Sequence, residues 1–266
     1  MGVLPVKLHG VLVRLFYRIF APSHPRGWLD FHCVGEDSPG EERYWIHCHG
    51  MERFGCPDLE IVDVPHDLTG FAHGIMFEIL GYMKGGKKVL PDENMGGCFV
   101  SQHQTVLHLC TFRLSDREGN GSGNKTLRVV DQGAPLESGF PAKLFAAHLH
   151  ALASTVKDPA KQVDMMEKAV RIHPGEASSA SGDPNQAEEN PGNFFCWELL
   201  GNACCDLGRE DDGLRALRTA RDRWPWGAAQ TAKAICEQIE QGNLPPAEKD
   251  ARARFWLETH RLADGL

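Results

Sequence analysis

Across its 266 residues the chain has no C-x-x-C pair, no surplus of basic charge and no apolar run long enough to cross a membrane. Each absence excludes a class. Without C-x-x-C, neither a zinc knuckle nor a thioredoxin-type redox pair is spelled out. A net charge of -8 argues against a nucleic-acid binder, whose phosphate contacts require a basic face. No Walker-type loop, dinucleotide fingerprint or nucleophile elbow occurs, and Gly85-Gly86-Lys87-Lys88 lacks the rest of a phosphate loop. No H-E-x-x-H is present either. No organic cofactor is therefore expected, and a divalent metal is the one inorganic candidate.

What is present begins with nine cysteines, a high count that does not look like a disulfide scaffold. Cys33, Cys48, Cys98, Cys110, Cys196 and Cys204 sit inside apolar runs, where free cysteine acts as a small hydrophobe. That placement implies a reducing, cytoplasmic compartment. The apolar fraction of 42% and charged fraction of 24% are those of a soluble globular protein.

Residues 1–27 form the first segment, and MGVLPVKLHGVLVRLFYRIFA within it reads as an amphipathic helix. Lys7, Arg14 and Arg18 fall on one narrow stripe, with Leu8, Val11, Leu12, Leu15 and Ile19 on a broad apolar face. Such a helix docks on the following domain or lies on a membrane surface; docking is the expectation. Residues 28–140 read as an α+β domain, an antiparallel sheet with one main helix. Its strand-like runs are Leu29 to Val34, Tyr44 to His49, Asp58 to Val64, Cys98 to Leu114 and Thr126 to Val130. The first two flank the polar turn GEDSPGEE and predict a hairpin. Asp67 to Met83 reads as the helix, with Phe71, Ile75, Ile79 and Tyr82 at helical spacing and Gly85-Gly86 as its stop.

Residues 141–266 read as helix throughout, apart from Glu176 to Asn193, which has four acids, no base and no aliphatic side chain larger than alanine. That stretch reads as a mobile loop at 176–193. The run Phe194 to Gly227 has Trp197, Leu200, Gly201, Cys204, Gly213, Leu217, Ala220 and Pro225 at fixed intervals. It resembles the tetratricopeptide repeat, a 34-residue helix-turn-helix unit. Gly201, Gly213 and Ala220 allow close helix approach, Trp197, Leu200 and Leu217 fill the seam, and Pro225 closes the second helix. Lys143 to Glu176 fits the same frame in degenerate form, with Leu149, Ala153, Ala169 and Pro174 matching and Gln162 in an alanine position. Ala228 to Gln241 and Pro246 to Ala263 supply a third helix pair. Its Lys249, Arg252, Arg254, Glu258 and Arg261 suit a solvent-facing cap. The resemblance implies a short all-α groove that holds a protein or peptide. Trp197, Trp224 and Trp226 are then core residues or partner anchors.

The densest chemistry lies in RYWIHCHGMERFGCPDLEIVDVP, Arg43 to Pro65. Strand alternation puts Trp45, His47 and His49 on one face and Tyr44, Ile46 and Cys48 on the other. His47 and His49 are candidate metal ligands, with Glu60 as a third ligand or base and His66, His73, His103 or His108 as further ones. Cys48 points away from its neighbouring histidines, so it reads as structural rather than nucleophilic. Asp58 and Glu60 share a face, expected to be solvated. The run H-x-H-G-M-x-x-F-G-x-P-D-L-E-I also resembles a signature of uncharacterised bacterial domain-of-unknown-function families, which have threonine in place of Cys48. The resemblance implies a site containing His47, His49, Gly50, Pro57 and Glu60, and a bacterial source. It implies no activity.

Together these features lead to a bacterial cytoplasmic adaptor that binds a protein through its repeats. The alternatives are a metal-dependent, hydrolase-like enzyme at His47 and His49 and an immunity-type inhibitor of a toxin.

Overall fold

A computed structural model describes residues 29–36, 42–84, 89, 91, 110–115, 126–135, 139–175, 193–243 and 250–264. The amphipathic segment 1–27, the loop 176–192, Gly85-Gly86, His103, His108 and Lys249 lie outside the described residues. The chain divides into two compact units, Met1–Leu144 and Phe145–Leu266. Among the described residues no helix is long and apolar enough to cross a membrane.

The first unit is a five-stranded sheet. In chain order its strands are β1 (Asp30–Glu36), β2 (Arg43–His49), β3 (Asp58–Pro65), β4 (Cys110–Leu114) and β5 (Thr126–Asp131), and in space they run β1-β2-β3-β5-β4. The expected hairpin is there: β1 and β2 pair antiparallel, with His32 opposite His47 and Asp30 opposite His49. The sheet is not wholly antiparallel, which corrects the sequence expectation. β3 and β5 run parallel, with Glu60 opposite Arg128. A parallel neighbour requires a long crossover, and residues 66–125 provide one.

That crossover starts with α1 (Thr69–Lys84), preceded by a short 3-10 turn at His66–Leu68. Ala72, Ile75, Met76, Ile79, Leu80 and Met83 recur at three- and four-residue intervals and are all buried. This stripe is turned from the expected one, leaving Phe71 and Tyr82 only half-buried. It covers one sheet face, where Ile46, Leu59, Ile61, Phe112, Leu127 and Val129 are at most 1% exposed. Each such side chain contributes about 1.5–3 kcal/mol by burial. Phe31 of β1 meets His73 and Phe77 of α1 at ring separations of 5.7 and 4.7 Å.

A bulge interrupts β2–β3. Tyr44 faces Val64 but Ile46 faces Ile61, so β3 carries one extra residue opposite Trp45. Asp63 takes the strained place, with φ of 57°. Arg43 secures it by donating to the Asp63 carbonyl at 3.2 Å.

Helices joined by short turns make up the rest of the described chain, and the first of them begins within the first unit. α2 (Ala142–Thr155) begins where the Asp131 carboxylate accepts from the backbone N–H groups of Lys143 and Leu144. It is followed by α3 (Pro159–Ile172), α4 (Phe194–Asp206), α5 (Glu210–Arg223), α6 (Pro225–Glu240) and α7 (Ala251–Asp264). Asp158 caps α3, and Asp250 accepts from the N–H groups of Arg252 and Ala253 at the start of α7. α4 and α5 lie unusually close. A Cβ built on Gly201 would fall 2.6 Å from Leu217 Cγ, and one on Gly213 would fall 2.8 Å from the Gly201 carbonyl oxygen. Only hydrogen fits between these backbones. Pro225 occupies the first turn of α6, where its missing N–H costs nothing.

Two features explain sequence irregularities. Gln162, in an alanine position of the repeat frame, donates its side-chain amide to the Ala153 and Val156 carbonyls at the end of α2. Across the acidic insertion, Asn193 and Trp197 donate to the carbonyls of His173 and Pro174. The chain thus leaves and returns at one place, and loop-closure cost grows only slowly with the length between. On α7, Phe255, Trp256 and Thr259 are buried while Arg254, Glu258 and Arg261 are exposed.

Candidate functional site

The sheet face opposite α1 is polar, and its residues follow from the register. Alternation brings Asp30 and His32 of β1, Trp45, His47 and His49 of β2, Asp58 and Glu60 of β3, and Arg128 of β5 to one side. Side-chain contacts link the row. The His32, His47 and His49 ring centres are separated by 5.1 Å (His32–His47), 5.1 Å (His32–His49) and 4.9 Å (His47–His49). Trp45 stacks on His47 at 3.8 Å and donates its indole N–H to Glu60 Oε2 at 3.0 Å. Arg128 Nε and Ser115 Oγ donate to Glu60 Oε1 at 2.7 and 2.6 Å. His47, Asp58, Glu60 and Arg128 are at most 7% exposed. The solvated face expected at Asp58 and Glu60 is in fact interior.

The turn between β2 and β3 explains the H-G-M-x-x-F-G-x-P-D spacing. Gly50 and Gly55, with φ of 99° and 69°, bracket a 3-10 turn over Met51–Phe54. Glycine alone takes such angles without strain. The turn carries the Met51 N–H back to Asp58 Oδ1 at 3.0 Å, while Asp58 Oδ2 faces His49 Nδ1 at 3.5 Å. Burial raises the Asp58 carboxyl above its ordinary value, and the Met51 N–H and His49 offset only part of that rise. With Nδ1 turned to Asp58, His49 Nε2 is buried and has no hydrogen-bond partner among the described residues.

The structure separates the sequence candidates. It brings His47 and His49 together with His32, which the strand-by-strand reading passed over, and with Asp58, which it had expected to be solvated. The signal for His32 was available in Asp30-Phe31-His32, a D-x-H on the partner strand of the hairpin. Glu60 has a different place from the one expected. Both its oxygens accept hydrogen bonds, Oε1 from Arg128 and Ser115 and Oε2 from Trp45. His66 is exposed beside Glu42, and His73 lies on α1 against Phe31. Among the described residues no group of three or more histidine, cysteine or carboxylate side chains surrounds a common point as a metal requires. Cys48 lies on the opposite face, as alternation requires. Its Sγ accepts from the Leu59 N–H, and burial pushes the thiol up to about 12, far from a nucleophile's range.

In the helical unit the tryptophans divide. Trp197 and Trp224 pack against the cluster of Phe194, Leu217, Ala220, Phe255 and Trp256, whereas Trp226 is 42% exposed. A residue not singled out in the sequence is Glu198. It sits half-buried on α4, in a stripe with Phe195, Asn202 and Cys205, and burial alone raises its carboxyl to about 7. The His150 ring lies 6.1 Å from Phe195, and burial pushes its pKa down.

Residues 31–113 are similar to a family described as a protein of unknown function (DUF4026), C-terminal. The match takes in β1 to β4 and the histidines of the polar face, and stops before Arg128. No curated protein and no solved structure matches the chain.

Proposed function

We propose that the protein is a binding module whose helical unit recruits a protein partner through a short tetratricopeptide-like array, and that the partner presents a lysine or arginine. Glu198 is the observation that carries this reading. A carboxyl held half-buried without a cation is costly, and here it meets the cost by titrating near pH 7. A partner's ammonium or guanidinium supplies the missing charge. Phe195, one turn earlier on α4, offers apolar surface to the stem of such a side chain. The net charge of -8 favours the approach of a basic segment.

The repeat-like reading is supported by the Gly201–Gly213 approach, by the buried Leu217 and Ala220, and by Pro225 at the head of the next helix. Trp226 then serves as an exposed contact, while Trp197 and Trp224 maintain the unit. The enzymatic alternative relied on Glu60, whose carboxylate is already taken by Arg128, Ser115 and Trp45.

Fluorescence anisotropy with arginine-rich and glutamate-rich peptides tests the proposal. The arginine-rich peptide is expected to bind the full chain, and Glu198→Gln to weaken it at least about tenfold, the loss of one charge-assisted hydrogen bond. Equal binding of the acidic peptide, or an unchanged affinity for Glu198→Gln, contradicts it.

A further inference from the structure

We infer that the partner's cation is the guanidinium of an arginine, held beside Glu198 in a corner of aromatic rings made by Phe195, Trp224 and Trp226. This rests on the reading of Glu198 as the contact for a partner's cation, and it adds which side chain fills the site. Phe195 on α4 and Trp224, just before α6, stand nearly at right angles, at 81°, with ring centres 6.2 Å apart. A cation seated in such a corner lies within about 6 Å of both ring centres, the range over which a ring face attracts it. Trp226 adds a third ring, 5.5 Å from Trp224 and tilted by 44°.

The corner is held from behind. Phe194, fully buried, meets Trp224 at 5.4 Å and 81°. A Cβ on Gly227 would collide with the Trp224 indole, so the glycine lets that ring lie against the start of α6. Phe195 and Trp224 are only half-buried and Trp226 is exposed, so the rings keep open surface.

The carboxyl comes from the same helix face. Glu198 follows Phe195 by three residues on α4, and helical side chains lean toward the N-terminus, over the preceding turn. Ring faces next to a carboxylate suit arginine better than lysine. A guanidinium stacks its plane on a ring while its edge donates two N–H groups to one carboxylate, whereas an ammonium is a point charge. It is also the more weakly hydrated of the two, so it gives up less on approaching a half-buried group.

The test is the affinity of the full chain for arginine-rich and lysine-rich peptides of equal length and charge, so that long-range attraction cancels. The arginine peptide is expected to bind about tenfold more tightly. Trp226→Leu, which keeps apolar bulk without a ring face, is expected to weaken the arginine peptide about two- to fivefold, and Trp226→Phe to weaken it less. Leu262→Ala, at an exposed apolar residue on α7, is expected to change nothing. Equal affinity for the two peptides, with Glu198→Gln weakening both, overturns the arginine assignment while the cation reading stands. Unchanged binding in Trp226→Leu overturns the aromatic corner. No effect of Glu198→Gln on either peptide overturns both readings.

Discussion

The sheet unit and the helical unit both carry surface ion pairs, Arg43–Asp63 and His66–Glu42 among them in the sheet unit, but among the described residues the sheet unit alone also buries one. In the sheet unit, Glu60 and Arg128 form an ion pair at 2.7 Å with side chains 0% and 8% exposed. In the helical unit the pairs lie at the surface: Lys168–Asp164, Arg209–Asp212, Arg221–Asp222 and Arg252–Asp206. An exposed pair contributes about 0–1 kcal/mol. A buried one matters mainly when it is broken, because the remaining charge has no water to turn to. The helical unit instead depends on close contact between small residues, and the Glu198 carboxyl, raised to about 7 by burial, has no ion-pair partner among the described residues. The sheet unit has a buried polar network; the helical unit has close packing and a half-buried carboxyl, Glu198, raised to about 7.

The largest effect is expected where the sheet's buried pair is broken. Arg128→Met leaves the Glu60 carboxylate buried without its cation and should cost about 3–5 kcal/mol. Urea denaturation measures it, and adding Glu60→Leu should restore much of the loss. If the single variant costs no more than a surface pair, the contrast between the units fails. Next is Gly213→Ala, whose Cβ would lie 2.4 Å from Cys205 Sγ and 2.8 Å from the Gly201 carbonyl oxygen. Overpacking against backbone predicts a loss of about 1–3 kcal/mol, despite alanine's better helix propensity. Amide exchange within α4 and α5 locates it.

The pH dependence is of comparable or smaller size. The Glu198 carboxyl titrates at about 7 in the folded unit and near 4.3 when unfolded. Between those values the folded state binds the extra proton, so stability should fall as pH rises through that window and level off above it. The change is roughly 1–3 kcal/mol. Glu198→Gln should abolish this slope in a thermal-melt series across pH. The smallest effect should be at Trp226. Trp226→Ala is expected to change stability by less than about 0.5 kcal/mol, whereas Trp256→Ala, removing a side chain 1% exposed, should cost about 3–5 kcal/mol. Similar losses at both positions would place Trp226 in the core rather than on a free surface.

Local pattern made part of this legible. Alternation in Trp45, His47 and His49 put those side chains on one face and Cys48 on the other, and helical spacing located the helix following His66. The Gly201 and Gly213 positions foretold the close approach of α4 and α5. What escaped was non-local. The parallel pairing of β3 with β5 brings Arg128 to Glu60 across 68 residues, and no feature near either one announces it. The bulge at Asp63 has no glycine to mark it. Asp58 read as a solvated carboxylate because its partners, the Met51 N–H and His49, are supplied by a turn whose geometry only the folded chain shows. His32 was passed over because its neighbour, His47, lies across the hairpin rather than along the strand.

The most direct measurement is a carbon-13 NMR titration of the Glu198 carboxyl, in the free protein and with an arginine-rich peptide. The account predicts a midpoint near 7 in the free protein that falls once the peptide is bound. An ordinary carboxylate midpoint in the free protein, or one unmoved by the peptide, would contradict it.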